Sequence, residues 1–376
     1  LHLGLFSFGK PNTAIGLEIG SSSFRVAQLR AAGELPLLTN CGLVRVPRGA
    51  VVGGEIVDTE VVSYTLSELW RKVGLRDKRV IVGVGNQKVV IRVIDFPYME
   101  KQELKNALQF QAQDYIPIPV EEVILDYEVI GDYTTESGER MLQVILVAAQ
   151  REMIQNVINA VEGAGLKPEV IDVTAFAIAR SLLHEKKPPS LAEEPRPAET
   201  TALINVGAGI TSVVIAEEDL VKFARVVTLA GDDWTQAVAD SLGVTFEEGE
   251  DLKVRIGLPP LVGDRFMDIP SELLDRAEVV QDVLEREVTR FIGEVKRSFD
   301  YYLAQTPVEL KRVIVNGGSA KLKNFLPYLE KALEVEVVFG HPLEKVQLSP
   351  RLSREALEED ELSLAISIGL ALRGIE

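Results

Sequence analysis

The chain has little of what staples, ligates or attacks. A single cysteine, Cys41, excludes any disulfide within the chain and fits a reducing compartment. Three histidines, His2, His184 and His341, show no Cys/His spacing and no nucleophile neighbour, which excludes zinc-ligand motifs and Ser/Cys–His chemistry. No apolar run approaches the roughly 20 residues that span a bilayer. Leu1 to Phe6 lacks the charged region and cleavage site of a signal peptide and reads as a tail. Positive charge is scarce: 40 Lys and Arg stand against 57 Asp and Glu, a net charge of -17, which excludes free nucleic acid as a partner. There is no Walker A loop and no dinucleotide fingerprint.

What is present is ordinary globular composition, 46% hydrophobic and 26% charged over 376 residues, enough for two to three domains. A proline- and charge-rich stretch at 185–199 cannot build a core and reads as an exposed loop at 186–199 that divides the chain. Each half opens alike. Aligning Gly20 with Gly207 places Glu18 on Asn205 and Ile19 on Val206, and both segments read as strand, Gly/Ser turn, strand. A second pair, residues 79–89 and 312–322, matches in the same order. Two matches in order indicate a duplicated α/β domain.

Helical stripes fill the intervals. Leu66, Leu69, Trp70 and Val73 form one, and Met153, Ile154, Val157, Ile158 and Val161 another. The spacing predicts a helix over 100–114, with Leu104, Ala107, Leu108 and Gln111 on one face, stopped by Pro117 and Pro119. Strands follow at 123–130 and 141–149, with a turn at Gly138. Residues 86–165 therefore read as a β-α-β-β-α subdomain inserted in the first half. A long helix is predicted over 284–304 and a last one over 362–372.

The chemistry lies in the turns. Backbone N–H groups of Gly20, Ser21, Ser22 and Ser23, with their hydroxyls, suit phosphate oxygens, and Gly207, Ala208, Gly209 and Thr211 offer a second such turn. Two turns facing each other would clamp a polyphosphate. Gly317 and Gly318, followed by Ser319, allow close approach to a flat base or form a plain strand-to-helix turn.

Together these segments resemble the actin-like ATPase superfamily, which implies a two-lobed α/β fold enclosing ATP and Mg2+. Residues 16–20 resemble its first phosphate motif, 205–211 its second and 315–319 its adenosine motif. Residues 172–179 are similar to the first connecting helix, where Asp172 would stand near metal and water, or alternatively cap the helix. Glu250 and Lys253 resemble the pair that touches ribose and base. The superfamily implies lobe I at 12–85, 166–185 and 341–376, lobe II at 200–245 and 306–340, and a helical subdomain at 246–305. The insertion is FtsA-like. Residues 92–97, Glu103, Leu104, 115–117, Asp126, Tyr127 and the ending at 368–374 resemble the type IV pilus assembly proteins of the PilM family.

That resemblance implies a cytoplasmic scaffold recruited to the inner face of the inner membrane. Its partner would be the N-terminal cytoplasmic tail of a PilN-like protein, with a pilus assembly ATPase as a further candidate. Leu104, Leu108, Tyr115 and Ile116 of the inserted subdomain are the candidate partner residues, unless they form its core. The sequence departs from active ATPases: the usual Asp is Glu18 in the first motif, which with Asp172 would reach the metal through water, and is the neutral Asn205 in the second. An amide cannot take a proton, so slow or absent hydrolysis is expected. The competing readings are a small-molecule kinase of the same fold, an FtsA-like filament former, and a protein that holds no nucleotide.

Overall fold

The computed structural model describes residues 12–183, 200–306 and 308–375. The tail at Leu1 to Phe6 and the stretch at 186–199 lie outside the described residues.

The first half begins with a meander of β1 (Thr13–Ile19), β2 (Ser23–Arg30) and β3 (Leu37–Arg45). A small hairpin, β4 (Val51–Val52) and β5 (Glu55–Ile56), leads into α1 (Thr59–Val73). Asp58 caps α1 by accepting the Val61 N–H, and Gly74 ends it in the left-handed conformation. Then come β6 (Arg79–Val84), β7 (Val89–Pro97), α2 (Lys101–Tyr115), β8 (Val123–Thr134), β9 (Arg140–Gln150), α3 (Arg151–Gly163), β10 (Lys167–Val173) and α4 (Thr174–Leu182).

The second half repeats the opening with β11 (Thr200–Val206), β12 (Thr211–Glu217) and β13 (Leu220–Val227). Helices α5 (Gly231–Leu242), α6 (Phe246–Ile256) and α7 (Leu274–Leu303) follow, then β14 (Leu310–Asn316), α8 (Phe325–Leu333) and β15 (Glu336–Phe339). A short β16 (Gln347–Leu348), α9 (Arg354–Glu358) and α10 (Ala365–Arg373) close the described chain.

The duplication is written in the topology. One sheet runs β10-β6-β1-β2-β3-β16, and the other β13-β12-β11-β14-β15. Reading β1 as β11, β2 as β12, β3 as β13, β6 as β14 and β10 as β15, the five corresponding strands lie in the same order. In both sheets the first two strands are antiparallel, and β1 runs parallel to β6 as β11 does to β14. Helices α4 and α10 each follow the last parallel strand of their half and pack against each other between the lobes.

The same comparison delimits the insertion. In the second half α8 alone joins β14 to β15. In the first half, β7, α2, β8 and β9 stand between β6 and α3. The sheet β7-β9-β8 packs α2 over one face in a core of its own, with Leu104, Leu108, Ala112, Ile116, Phe96 and Val144. The buried residues of α3 join α1 and the first sheet instead. A boundary at 165 is therefore too late, because α3 answers to α8 and belongs to the first lobe. On α2, Ala112 and not Gln111 completes the buried face, so Gln111 is exposed.

Strand β9 is buried on both faces. Its alternate residues Ile145, Val147 and Ala149 reach the first core, which also takes in Leu203, Val214 and Val221 of the second sheet. The second lobe has a separate core in which Trp234, Phe291 and Phe325 meet with ring centroids 5.3–5.7 Å apart, locking α5, α7 and α8 together. Helix α7 starts ten residues before the predicted 284, because Ala277, Val280 and Val283 continue the same buried stripe. The final helix starts at Ala365, three residues after the expected 362, since a 3-10 turn over Glu361–Ser363 precedes it.

Candidate functional site

The two glycine turns have the same internal design. Gly20 N–H donates to the Ser23 carbonyl (3.2 Å), and Gly207 N–H to the Ile210 carbonyl (3.0 Å). They also touch. A Cβ on Gly209 would lie 2.5 Å from Ser21 Oγ and 2.9 Å from Ser21 Cβ, so only glycine allows this approach between the halves. Beside them, a Cβ on Gly54 in the β4–β5 hairpin would lie 3.1 Å from Ile210 Cδ1. The duplicated sheets thus bring 20–23 and 207–211 to one point.

Glu18 and Asn205 occupy equivalent places below these turns, each at the end of the first strand of its half. Antiparallel register sets Arg25 directly across from Glu18, and Ser212 across from Asn205. Arg25 Nη1 donates to Glu18 Oε1 at 3.4 Å. Glu18 Oε2 and Arg25 Nε are buried with no partner among the described residues. Burial raises the Glu18 carboxyl above its ordinary range, against the pull of Arg25. Asn205 Oδ1 accepts from Asn316 Nδ2 (2.9 Å), and Asn316 Oδ1 is itself buried with no partner among the described residues. Orphaned polar atoms of this kind are rare in a finished core and are normally completed by a water, an ion or a ligand.

The glycine pair of the third motif supports the second turn. Gly317 has φ +95°, and a Cβ there would lie 2.3 Å from the Val206 carbonyl oxygen. Ser319 Oγ donates to the Gly207 carbonyl (2.8 Å). Gly318 opens a short 3-10 turn, Gly318–Lys321. A Cβ on Gly318 would lie 3.8 Å from Arg25 Nη2, so the arginine of the first lobe reaches the third motif of the second. At the start of α5, Asp232 N–H donates to the Ala208 carbonyl (2.8 Å) and Gly231 N–H to that of Gly207 (3.1 Å).

Glu250 and Lys253 form an ion pair at 2.6 Å on α6. Lys253 is 5% exposed, and its ammonium also reaches Thr235 Oγ1 (2.8 Å) and the Gly231 carbonyl (3.2 Å). It therefore ties α6 to the start of α5, as a buried lysine must be paired to keep its charge. Thr235 donates to Glu250.

Three expectations are corrected. Asp172 is 0% exposed, at the end of β10. One carboxylate oxygen accepts its neighbour Val173 N–H (2.9 Å) and the other pairs with Arg180 (3.1 Å), which also donates to the Gly369 carbonyl (2.6 Å). Arg180 thus ties Asp172 of β10 and Gly369 of α10 to α4, which makes this carboxylate a buried structural ion; nor does it cap the helix, whose N-cap is Val173. Thr211 spends its hydroxyl on the Leu229 carbonyl (2.8 Å) and offers none to a phosphate. Leu104, Leu108 and Ile116 are 1%, 3% and 4% exposed, and Tyr115 leans on Phe96 at 6.3 Å, so these four hold the insertion together instead of presenting it.

Sequence reasoning also missed Arg25, Asn316, Asp232 and Thr235. The signal for Arg25 was available: with Ile19 paired to Phe24 across the Gly/Ser turn, position 18 faces 25. The others are fixed by contacts between distant segments.

Two α/β lobes descended from one unit, crossed by paired connecting helices and meeting at twin glycine turns, make this a protein of the actin-like ATPase fold. MreB5 of Spiroplasma citri, solved with AMPPNP, has that architecture: TM-score 0.55 at 12% identity, covering 97% of this chain and 96% of its own. The chain belongs to the family of type IV pilus assembly protein PilM, whose family model matches residues 16–375. The solved PilM-PilN type IV pilus biogenesis complex aligns with TM-score 0.79 and 27% identity, over 98% of this chain and 100% of that one. Cell division protein FtsA of Streptococcus pneumoniae serotype 2 is 25% identical over 358 residues, 86% of this chain and 74% of its own length. FtsA of Pseudomonas aeruginosa is 24% identical over 366 residues, 87% and 82% respectively. Among the described residues no helix is long and apolar enough to cross a membrane.

Among the described residues no three His, Cys, Asp or Glu side chains gather as a metal site. Beside the two turns, Glu18 supplies a buried carboxylate whose Oε2 has no hydrogen-bond partner among the described residues. That donor set fits Mg2+ carried largely by phosphates and water, and does not fit an all-protein cation cage.

Proposed function

We propose that this protein is a nucleotide-occupied platform for pilus assembly, which binds ATP with Mg2+ between its lobes and holds the cytoplasmic tail of a PilN-like membrane protein. The contact between Ser21 and Gly209 carries the nucleotide reading, because it brings two N–H-rich turns from separate lobes to one point. Glu18 would take the ion, and the turns around Gly20 and Gly207 the phosphates. Gly317, Gly318, Glu250 and Lys253 would border the nucleoside. Bound Mg2+ offsets phosphate charge; the chain's own groups orient the triphosphate and exclude water.

Turnover is expected to be slow. Asn205 has no basic oxygen and is bonded to Asn316, and Asp172 is held by Arg180. This also disfavours a small-molecule kinase, which needs a free base aimed at a bound hydroxyl. Measuring ATP affinity and turnover together tests the reading. Micromolar binding with turnover far below the roughly 10 per second of a typical enzyme is expected; a kinase-like rate would overturn it.

The tail is assigned to the other face of the insertion. A groove of about 710 Å³ opens where the insertion, α4, the second lobe and the C-terminal helix meet. Ile130, Ile145, Phe176 and Leu220 supply apolar surface, and Glu128 faces Arg373 at its rim. An extended peptide could lie there with apolar residues inward. Ile130→Asp should weaken tail binding at least about tenfold, as loss of a buried anchor does, and leave ATP affinity intact. Isothermal titration with a synthetic tail peptide reads both.

A further inference from the structure

Arg48 lies in the segment between β3 and β4, on the first lobe, yet its guanidinium carbon sits 3.3 Å from the ring centroid of Phe246 on the second. Phe246 is the first residue of α6, set in place by the Thr245 cap. The segment that carries Arg48 is pinned at both ends. Val46 N–H donates to the carbonyl of Ser22 in the first glycine turn (3.1 Å), and the Ala50 carbonyl accepts from Val57 N–H (2.9 Å) and Asp58 N–H (3.2 Å).

The receiving side is pinned as well. Asp232, whose charge is felt by Lys253 and Arg48, holds the second turn through Ala208. Arg48 is thus the junction: Val46 ties its segment to Ser22, its guanidinium lies on Phe246, and its charge acts on Asp232, whose N–H holds Ala208. An arginine laid on an aromatic face across two lobes is a short, reversible bond, and opening the lobes requires breaking it.

We infer that Arg48 and Phe246 form a clasp across the cleft that slows escape of the nucleotide. Arg48 acts as a positioning residue: it holds the lobes together and touches no reacting atom. The inference rests on the nucleotide reading, so its test has one arm that needs no nucleotide.

The first arm is stopped-flow release of a fluorescent ATP analogue. Arg48→Ala and Phe246→Leu should each speed release about two- to fivefold, the strength of an exposed stack of this kind. The double variant should be no faster than either single one, because both remove the same contact. Phe246→Trp should keep release slow. Unchanged rates, or effects that multiply in the double variant, would overturn the clasp.

The second arm measures spin-label distances between Glu60→Cys and Glu247→Cys in a Cys41→Ser background, on the protein without nucleotide. Arg48→Ala should lengthen and broaden the distribution, and an unchanged distribution overturns the clasp. If the parent protein binds no nucleotide while the distance still shifts, the functional reading fails and the clasp stands.

Discussion

Glu18 and Asn205 show how one position can be used in two ways. Both end the first strand of a lobe, but the carboxylate keeps an oxygen with no partner among the described residues and the amide is bonded to Asn316. Asp172, the other acidic candidate for the ion, is a structural ion with Arg180. Asp172→Asn removes a buried charge-assisted bond to Arg180 and should cost about 1.5–3 kcal/mol of stability, read by urea denaturation. ATP turnover per folded molecule should be unaltered, and a selective loss of turnover would restore Asp172 to the chemistry. Cys41 gives a pH prediction. Burial, helped by Asp360, pushes its thiol up to about 11 from 9.0. The folded state keeps the proton longer, so its contribution to stability is full below pH 9.0 and is lost as pH rises toward 11. At pH 8 a disulfide reagent should modify it about 100-fold more slowly than after unfolding, since only the thiolate reacts.

At the scale of elements, the strand–turn–strand units were readable because alternation, glycine and serine are local signals. Their meeting was not, since it depends on how two sheets pack. Gly209 is where that meeting is tightest. Gly209→Val should wedge the turns apart and lower ATP affinity by tenfold or more (about 1.4 kcal/mol), with little loss of thermal stability, because the clash lies between lobes and outside either core. The stripe on α2 was legible as a stripe, but periodicity does not say whether it faces a core or a partner. Leu104→Ala should cost about 2–5 kcal/mol through cavity formation. Hydrogen exchange should rise in β7, α2 and β8 and leave β11 and β14 protected. If the variant lost tail binding with no such change, Leu104 would be a contact after all.

For the whole molecule, the nucleotide is expected to act as a third component bonding to both lobes. A ligand that binds only the folded, closed form stabilises by about 2.7 kcal/mol at a hundred times its dissociation constant. ATP with Mg2+ should therefore raise the unfolding temperature and reduce the radius of gyration in scattering. With a chelator present the affinity should fall by about tenfold without vanishing, because phosphates and one carboxylate carry the ion and the turns remain. An unchanged radius with saturating ATP would argue against closure.

The sequence by itself determined the duplication, the insertion and the identity of the glycine turns, because each is encoded in residues near one another along the chain. It also carried the family, through motifs in a fixed order. Only the tertiary structure decided which face of the insertion is core, that Asp172 is an ion-pair partner, that α3 belongs to the first lobe, and that Arg48 reaches Phe246. Those outcomes depend on which surfaces packing brings together from distant parts of the chain, and a one-dimensional pattern records the periodicity of a surface without recording what covers it.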